Sequence, residues 1–175
     1  NCQYCMNEIF HNIFSCLHGI RALLNTHNAF LNGDLSEVVY MVQPRGFENP
    51  SLPNHVCKLH KALYGLKQAP RAWFTKLKTY LVSHGFRACQ SDTSLFVSVT
   101  PSATIYVLVY VDDLIVTGSS PFLVQQFIQN LHQCFALKDL GALNFFLGIK
   151  IQQDKAGITL SQDAYINDIL ARCKM

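Results

Sequence analysis

Trp73, Leu77, Tyr80 and Leu81 recur at helical spacing while Lys76 and Lys78 fall on other faces, which predicts an amphipathic helix over Ala69–Ser83. Gly85 follows as its stop. A second helix is expected over residues 122–135, with Ser119 or Ser120 as cap and Pro121 in its first turn. A third is expected over residues 161–173, capped by Ser161. Runs rich in β-branched and aromatic residues predict strands at 38–42, 56–59, 94–99, 105–110 and 114–117. Residues 144–152 and 157–160 read as a hairpin turning at 154–156. Asn32-Gly33, Pro44 to Gly46, Asn49 to Pro53, Gly118 to Pro121 and Gly141 punctuate the chain. The order is mixed α+β, and layering predicts several strands in one sheet with two or three helices on one side.

One stretch breaks its own pattern. From Ile105 to Val116 every residue is apolar or aromatic except Asp112 and Asp113, which sit where two apolar strands meet. Buried carboxylates are too costly to leave unneutralised. A divalent ion at a tight turn would neutralise them, and magnesium takes one or two carboxylates while leaving positions for water and phosphates. Aspartate is also a favoured turn residue, so a solvated hairpin turn is the plainer reading of the pair taken alone.

Composition narrows the classes. Half of the 175 residues are hydrophobic and 14% are charged, which suits a packed core and argues against wholesale disorder. A net charge of +3 is compatible with a polyanionic partner without demanding one. No apolar run reaches the length of a membrane span, so no membrane partner is expected. The chain starts at Asn1 without a methionine or an apolar leader, so it reads as an excerpt. Seven cysteines scattered through apolar contexts suit free thiols in a reducing, intracellular compartment. Cys2, Cys5, His11 and Cys16 approach the spacing of a zinc knuckle, but residues 7–17 lack the glycines and basic residues of one.

The flanks of the acidic pair carry a resemblance. Tyr110-Val111-Asp112-Asp113 resembles the tyrosine-x-Asp-Asp signature of reverse transcriptases. Upstream, the run from Lys58 through Tyr64, Gly65, Lys67, Gln68, Pro70 and Arg71 to Trp73 resembles the motif that precedes the palm helix in the copia class. Asn28-Ala29-Phe30-Leu31-Asn32-Gly33-Asp34-Leu35 resembles the tail of that class's first catalytic motif. Met41 with Gln43-Pro44, Gly46-Phe47, Lys138-Asp139-Leu140-Gly141, Phe146-Leu147-Gly148-Ile149 and Leu160-Ser161-Gln162 continue the series in order. A lone Asp-Asp pair is a weak signal; this ordered series, over residues 28–175, is a specific one.

The resemblance to copia-type retrotransposon reverse transcriptases implies an α+β palm: a ferredoxin-like antiparallel sheet with helices packed on one face. It implies RNA-directed DNA polymerisation by two-metal nucleotidyl transfer, with two Mg2+ ions, an RNA or DNA template-primer and a deoxynucleotide as partners. Asp112 matches a metal ligand, Asp113 its neighbouring carboxylate, and Tyr110 the residue beside the primer end. Phe30 matches the aromatic that leaves no room for a ribose 2′ hydroxyl; by itself it reads as an ordinary core aromatic. Lys67, Gln68 and Arg71 match the part near template and incoming nucleotide, where cations suit phosphates.

The chain departs from the pattern at one decisive place. The family's catalytic aspartate lies five residues before the aromatic, which is Asn25 here, and its context 23–27 is irregular against the usual apolar strand. Asp34 matches a separate position and does not replace it. A neutral amide oxygen in place of a carboxylate between two divalent ions costs several kcal/mol, a rate loss on the order of a thousandfold or more. Residues 1–27 match poorly, and the rest of the fingers, any thumb beyond Met175, the RNase H domain and other Pol polyprotein domains are expected to be missing. The expectation is therefore a palm-centred fragment without polymerase activity.

Three rival readings stay open. A nucleic-acid-binding module without catalysis would need Tyr106, Tyr110 and Phe96 facing outward in a row. A cyclic-dinucleotide synthase would need the Gly-Gly-Asp/Glu-Glu-Phe turn, which is missing. A translated fossil that does not fold stably would have no molecular function at all.

Overall fold

The computed structural model describes residues 21–153 and 158–173. The possible zinc ligands Cys2, Cys5, His11 and Cys16, and the expected turn at 154–156, lie outside these residues. Among the described residues there are three sheets and three α-helices.

The main sheet holds β1 (Arg21–Thr26), β4 (Arg87–Ala88), β5 (Leu95–Val99), β6 (Thr104–Tyr110), β7 (Asp113–Gly118) and β8 (Leu137–Ala142), in the order β4-β5-β6-β7-β1-β8. Every neighbouring pair is antiparallel. Helix α1 (Ala69–Ser83) has the expected bounds, and α2 (Pro121–Cys134) starts one residue earlier than expected. Alternation along the strands explains the layering. Leu24, Phe96, Val107, Val109, Leu114 and Val116 point to one face, where Trp73, Leu77 and Leu81 of α1 and Val124, Ile128 and Leu131 of α2 cover them. Each of these side chains is buried, and burial of one large apolar side chain contributes about 1.5–3 kcal/mol.

The alternate residues form a second core on the opposite face. Leu95, Leu108 and Ile115 pack there with Leu143 and with Phe146, Ile149 and Ile151 of a small sheet made of β9 (Phe145–Phe146), β10 (Ile149–Gln153) and β11 (Ile158–Ser161). β2 (Asp34–Val42) and β3 (Val56–Lys61) form a separate two-stranded sheet. Helix α3 (Asp163–Arg172) contributes no described residue to either core, so among the described residues α1 and α2 are the helices that pack on the main sheet.

Several local expectations are corrected. Residues 144–152 are not one strand, because Leu147 (φ 50°) and Gly148 (φ 81°) make a two-residue turn between β9 and β10. Ser161 does not cap α3; it ends β11 and its hydroxyl donates to Asp163, while Gln162 holds the cap position. Ser120 occupies the cap of α2 without a side-chain bond, and the Ser119 hydroxyl instead accepts from the Thr104 backbone N–H. Strand β8 was not expected, since Lys138, Asp139 and Gly141 erase any alternation; it forms because β1 offers its open edge. The irregular stretch around Asn25 is likewise a strand, and β1 lies between β7 and β8.

Candidate active site

The β6–β7 hairpin closes through a two-residue turn, Val111-Asp112, with Tyr110 paired to Asp113. Val111 has φ 54°, a left-handed conformation that a β-branched residue rarely adopts. Two hydrogen bonds hold the turn. The Trp73 indole N–H of α1 donates to the Val111 carbonyl at 2.7 Å, and the Thr26 backbone N–H of β1 donates to the Asp112 carbonyl at 2.7 Å. Trp73 was legible in the sequence as part of an apolar helical stripe and as the end of the copia-type motif run, and neither signalled this bond.

Strand β1 brings Asn25 directly opposite Asp113. The Asn25 Nδ2 donates to Asp112 Oδ2 at 3.2 Å and to Asp113 Oδ1 at 2.8 Å. All three side chains are half-buried. The position five residues before the aromatic therefore meets the Asp-Asp pair in space. Among the described residues no Lys, Arg or His forms an ion pair with either aspartate.

Tyr110, beside this cluster, is 41% exposed and meets Phe146 edge-on at 5.9 Å between ring centroids. Phe30 lies in a 3-10 helix, Ala29–Asn32, directly after β1. It is half-buried against the helix-side core and tilts on Tyr64, with ring centroids 4.4 Å apart. Gly33 then lets this segment lie on α1: a Cβ there would stand 2.8 Å from the Trp73 backbone nitrogen and 2.9 Å from the Ala72 Cβ. Lys67 and Arg71 are exposed, and neither has an ion-pair partner among the described residues. Gln68 is half-buried at the helix cap, where its carbonyl accepts from the Ala72 N–H.

Asp34 is engaged elsewhere. Lys61 and Lys76 bind its two carboxylate oxygens, the latter at 2.6 Å, and the hydrogen bonds from Lys61 and then Lys76 lower its pKa from 3.8 to about 2. The aromatic row required for a stacking platform is absent. Phe96 is fully buried under the helices, whereas Tyr106 and Tyr110 belong to the opposite face.

The residues fit a pair of divalent ions poorly. The carboxylate lone pairs that would face a cation face amide N–H groups instead, and a rotated Asn25 would offer one neutral oxygen. Among the described residues no group of three or more His, Cys, Asp or Glu side chains is placed to hold a metal ion.

A profile of the family described as reverse transcriptase (RNA-dependent DNA polymerase) matches residues 19–175. The chain belongs to the reverse transcriptase family. It is 51% identical over 152 residues to the "Retrovirus-related Pol polyprotein from transposon RE1" of Arabidopsis thaliana, covering 87% of this chain and 10% of that protein. The corresponding RE2 polyprotein of the same plant is 48% identical over 152 residues, again covering 87% of this chain and 10% of that protein. The transposon TNT 1-94 polyprotein of Nicotiana tabacum is 39% identical over 155 residues, covering 87% of this chain and 12% of that protein. This reverse transcriptase chain thus spans about a tenth of the length of these three relatives, and its copia-type resemblance extends over most of its own length. No solved structure matches it. Among the described residues no helix is long and apolar enough to cross a membrane.

Proposed function

We propose that this chain is the palm of a copia-type RNA-directed DNA polymerase in which the loss of one carboxylate has ended nucleotidyl transfer. The observation that carries the reading is the Asn25 side chain lying on both Asp112 and Asp113. Family motif and fold meet there at the catalytic-aspartate position, where this chain carries an amide. The succession β1, α1, β6, β7, α2, β8 with the spatial order β8-β1-β7-β6 supports a ferredoxin-like palm.

In this reading the family's two Mg2+ ions, which would lower the barrier at the phosphorus, lack their full set of ligands. The remaining residues keep roles in binding. Exposed Tyr110 borders the primer end, the Phe30–Tyr64 ring pair walls the nucleotide sugar, and Gln68 fixes the start of α1. Lys67 and Arg71 offer exposed cations to phosphates, Arg71 in bidentate form. Template-primer and deoxynucleotide are the partners, with other Pol domains in the full-length protein. Free Cys57, Cys89, Cys134 and Cys173 suit a reducing intracellular setting.

Fluorescence anisotropy on an RNA–DNA template-primer tests the binding half. Salt-sensitive binding is expected, weakened about tenfold in a Lys67→Ala, Arg71→Ala double variant through loss of phosphate contacts. Binding that is indifferent to salt and to both substitutions would contradict it.

A further inference from the structure

The backbone of the Val111-Asp112 turn is tied from both sides, by Trp73 and by Thr26, so the two carboxylates are held near one another whatever lies between them. Two half-buried carboxylates held this close gain from a hydrogen-bond donor between them. Among the described residues it is not a cationic side chain. The group found there is the Asn25 carboxamide, whose one nitrogen reaches an oxygen of each aspartate. A primary amide suits this geometry, because its two N–H bonds diverge and can serve two separate acceptors. Hydrogen bonds to ionised acceptors are also the stronger kind. The amide oxygen cannot take this place, since it would face two oxygen acceptors with no proton between them.

We propose that the Asn25 carboxamide has taken over the divalent ion's role as the group that holds the Asp112–Asp113 pair together, so that this end of the sheet is built without metal and is indifferent to it. The inference rests on Asn25 being the altered carboxylate position and goes beyond loss of catalysis. Asn25 is on this account a positioning residue with a gained function, an internal substitute for the ion.

The consequence is a reversal of metal dependence by single substitutions. Asn25→Asp replaces two donors by a third carboxylate, which makes the cluster self-repelling in a chelator and a ligand for a cation. Asn25→Ala leaves the pair without its donor. The test is thermal unfolding of the full chain and both variants, in chelator and in Mn2+ or Mg2+, together with Mn2+ titration read by paramagnetic resonance. The parent is expected to melt at the same temperature in both conditions. Both variants should melt several degrees lower in chelator and recover in metal. Asn25→Asp should bind Mn2+ at least about tenfold more tightly than the parent.

A parent midpoint that rises with metal as much as that of Asn25→Asp would overturn the proposal. So would an Asn25→Ala variant that melts like the parent in chelator. If Asn25→Asp does not fold, the comparison of parent with Asn25→Ala still decides. The polymerase reading fails separately: reversal of metal dependence together with template-primer binding that is indifferent to salt and to the Lys67→Ala, Arg71→Ala double variant would leave this inference standing and remove that one.

Discussion

At Val111 the hairpin turn places a β-branched residue at φ 54°, where glycine is the usual occupant. The left-handed conformation costs roughly 1–2 kcal/mol for such a residue. The residue is 49% exposed, so little burial offsets the cost. Val111→Gly is therefore expected to raise stability by about 0.5–1 kcal/mol after the entropy of glycine is counted, read as a higher urea midpoint. A lower midpoint would mean that the valine side chain holds the turn. At this scale the sequence was legible in part. Asp112, Asp113 and Asn25 could be named because their motifs have fixed spacing. The left-handed turn could not, because valine carries no signal for a positive φ, and the bridging amide could not, because it depends on the register of β1 against a strand nearly ninety residues away.

Two elements carry the segment after β1 onto α1, and each makes its own prediction. Gly33 sits against the α1 backbone, so Gly33→Ala forces a Cβ to within 2.8 Å of the Trp73 nitrogen. A loss of about 1–3 kcal/mol is expected from such overpacking, measured by urea unfolding. An unchanged midpoint would show that the 3-10 segment lifts away freely. Asp34 joins β2 to Lys61 of β3 and Lys76 of α1. Its pKa is lowered in the folded chain, so the stabilisation is present above the ordinary value of 3.8 and is lost as pH falls toward about 2. Asp34 is 55% exposed, and solvent screening keeps the effect to about 1 kcal/mol or less. Asp34→Asn should lower stability at neutral pH by that amount and flatten the acid limb in the same window. An acid limb identical to the parent's would remove Asp34 from the account. Periodicity named α1 to the residue because its stripe is complete. It missed β8 because an edge strand is defined by the partner it borrows, and Lys138 and Asp139 carry no trace of that partner.

For the whole molecule, alternation in β5, β6 and β7 divides two cores between the faces of one sheet. The acidic hairpin emerges where β1, β6 and β7 end together, with α1 behind it through Trp73. The mixed α+β class was legible from the runs themselves. The small sheet on the second face was legible in part: the β10–β11 hairpin was expected and is formed, but the turn at Leu147-Gly148 that folds β9 back lies inside what reads as one strand. Family membership joins these levels. Residues 19–175 match the reverse transcriptase profile, and the chain's departure from the motif lies inside that match at Asn25.

The most direct test of the central claim is primer extension on an RNA template with magnesium, comparing the chain, Asn25→Asp and the double variant Asn25→Asp, Asp112→Ala. The account predicts silence from the parent, extension by Asn25→Asp at least on the order of a thousandfold above it, and silence again from the double variant. Extension by the parent at a rate that Asn25→Asp does not raise would contradict it.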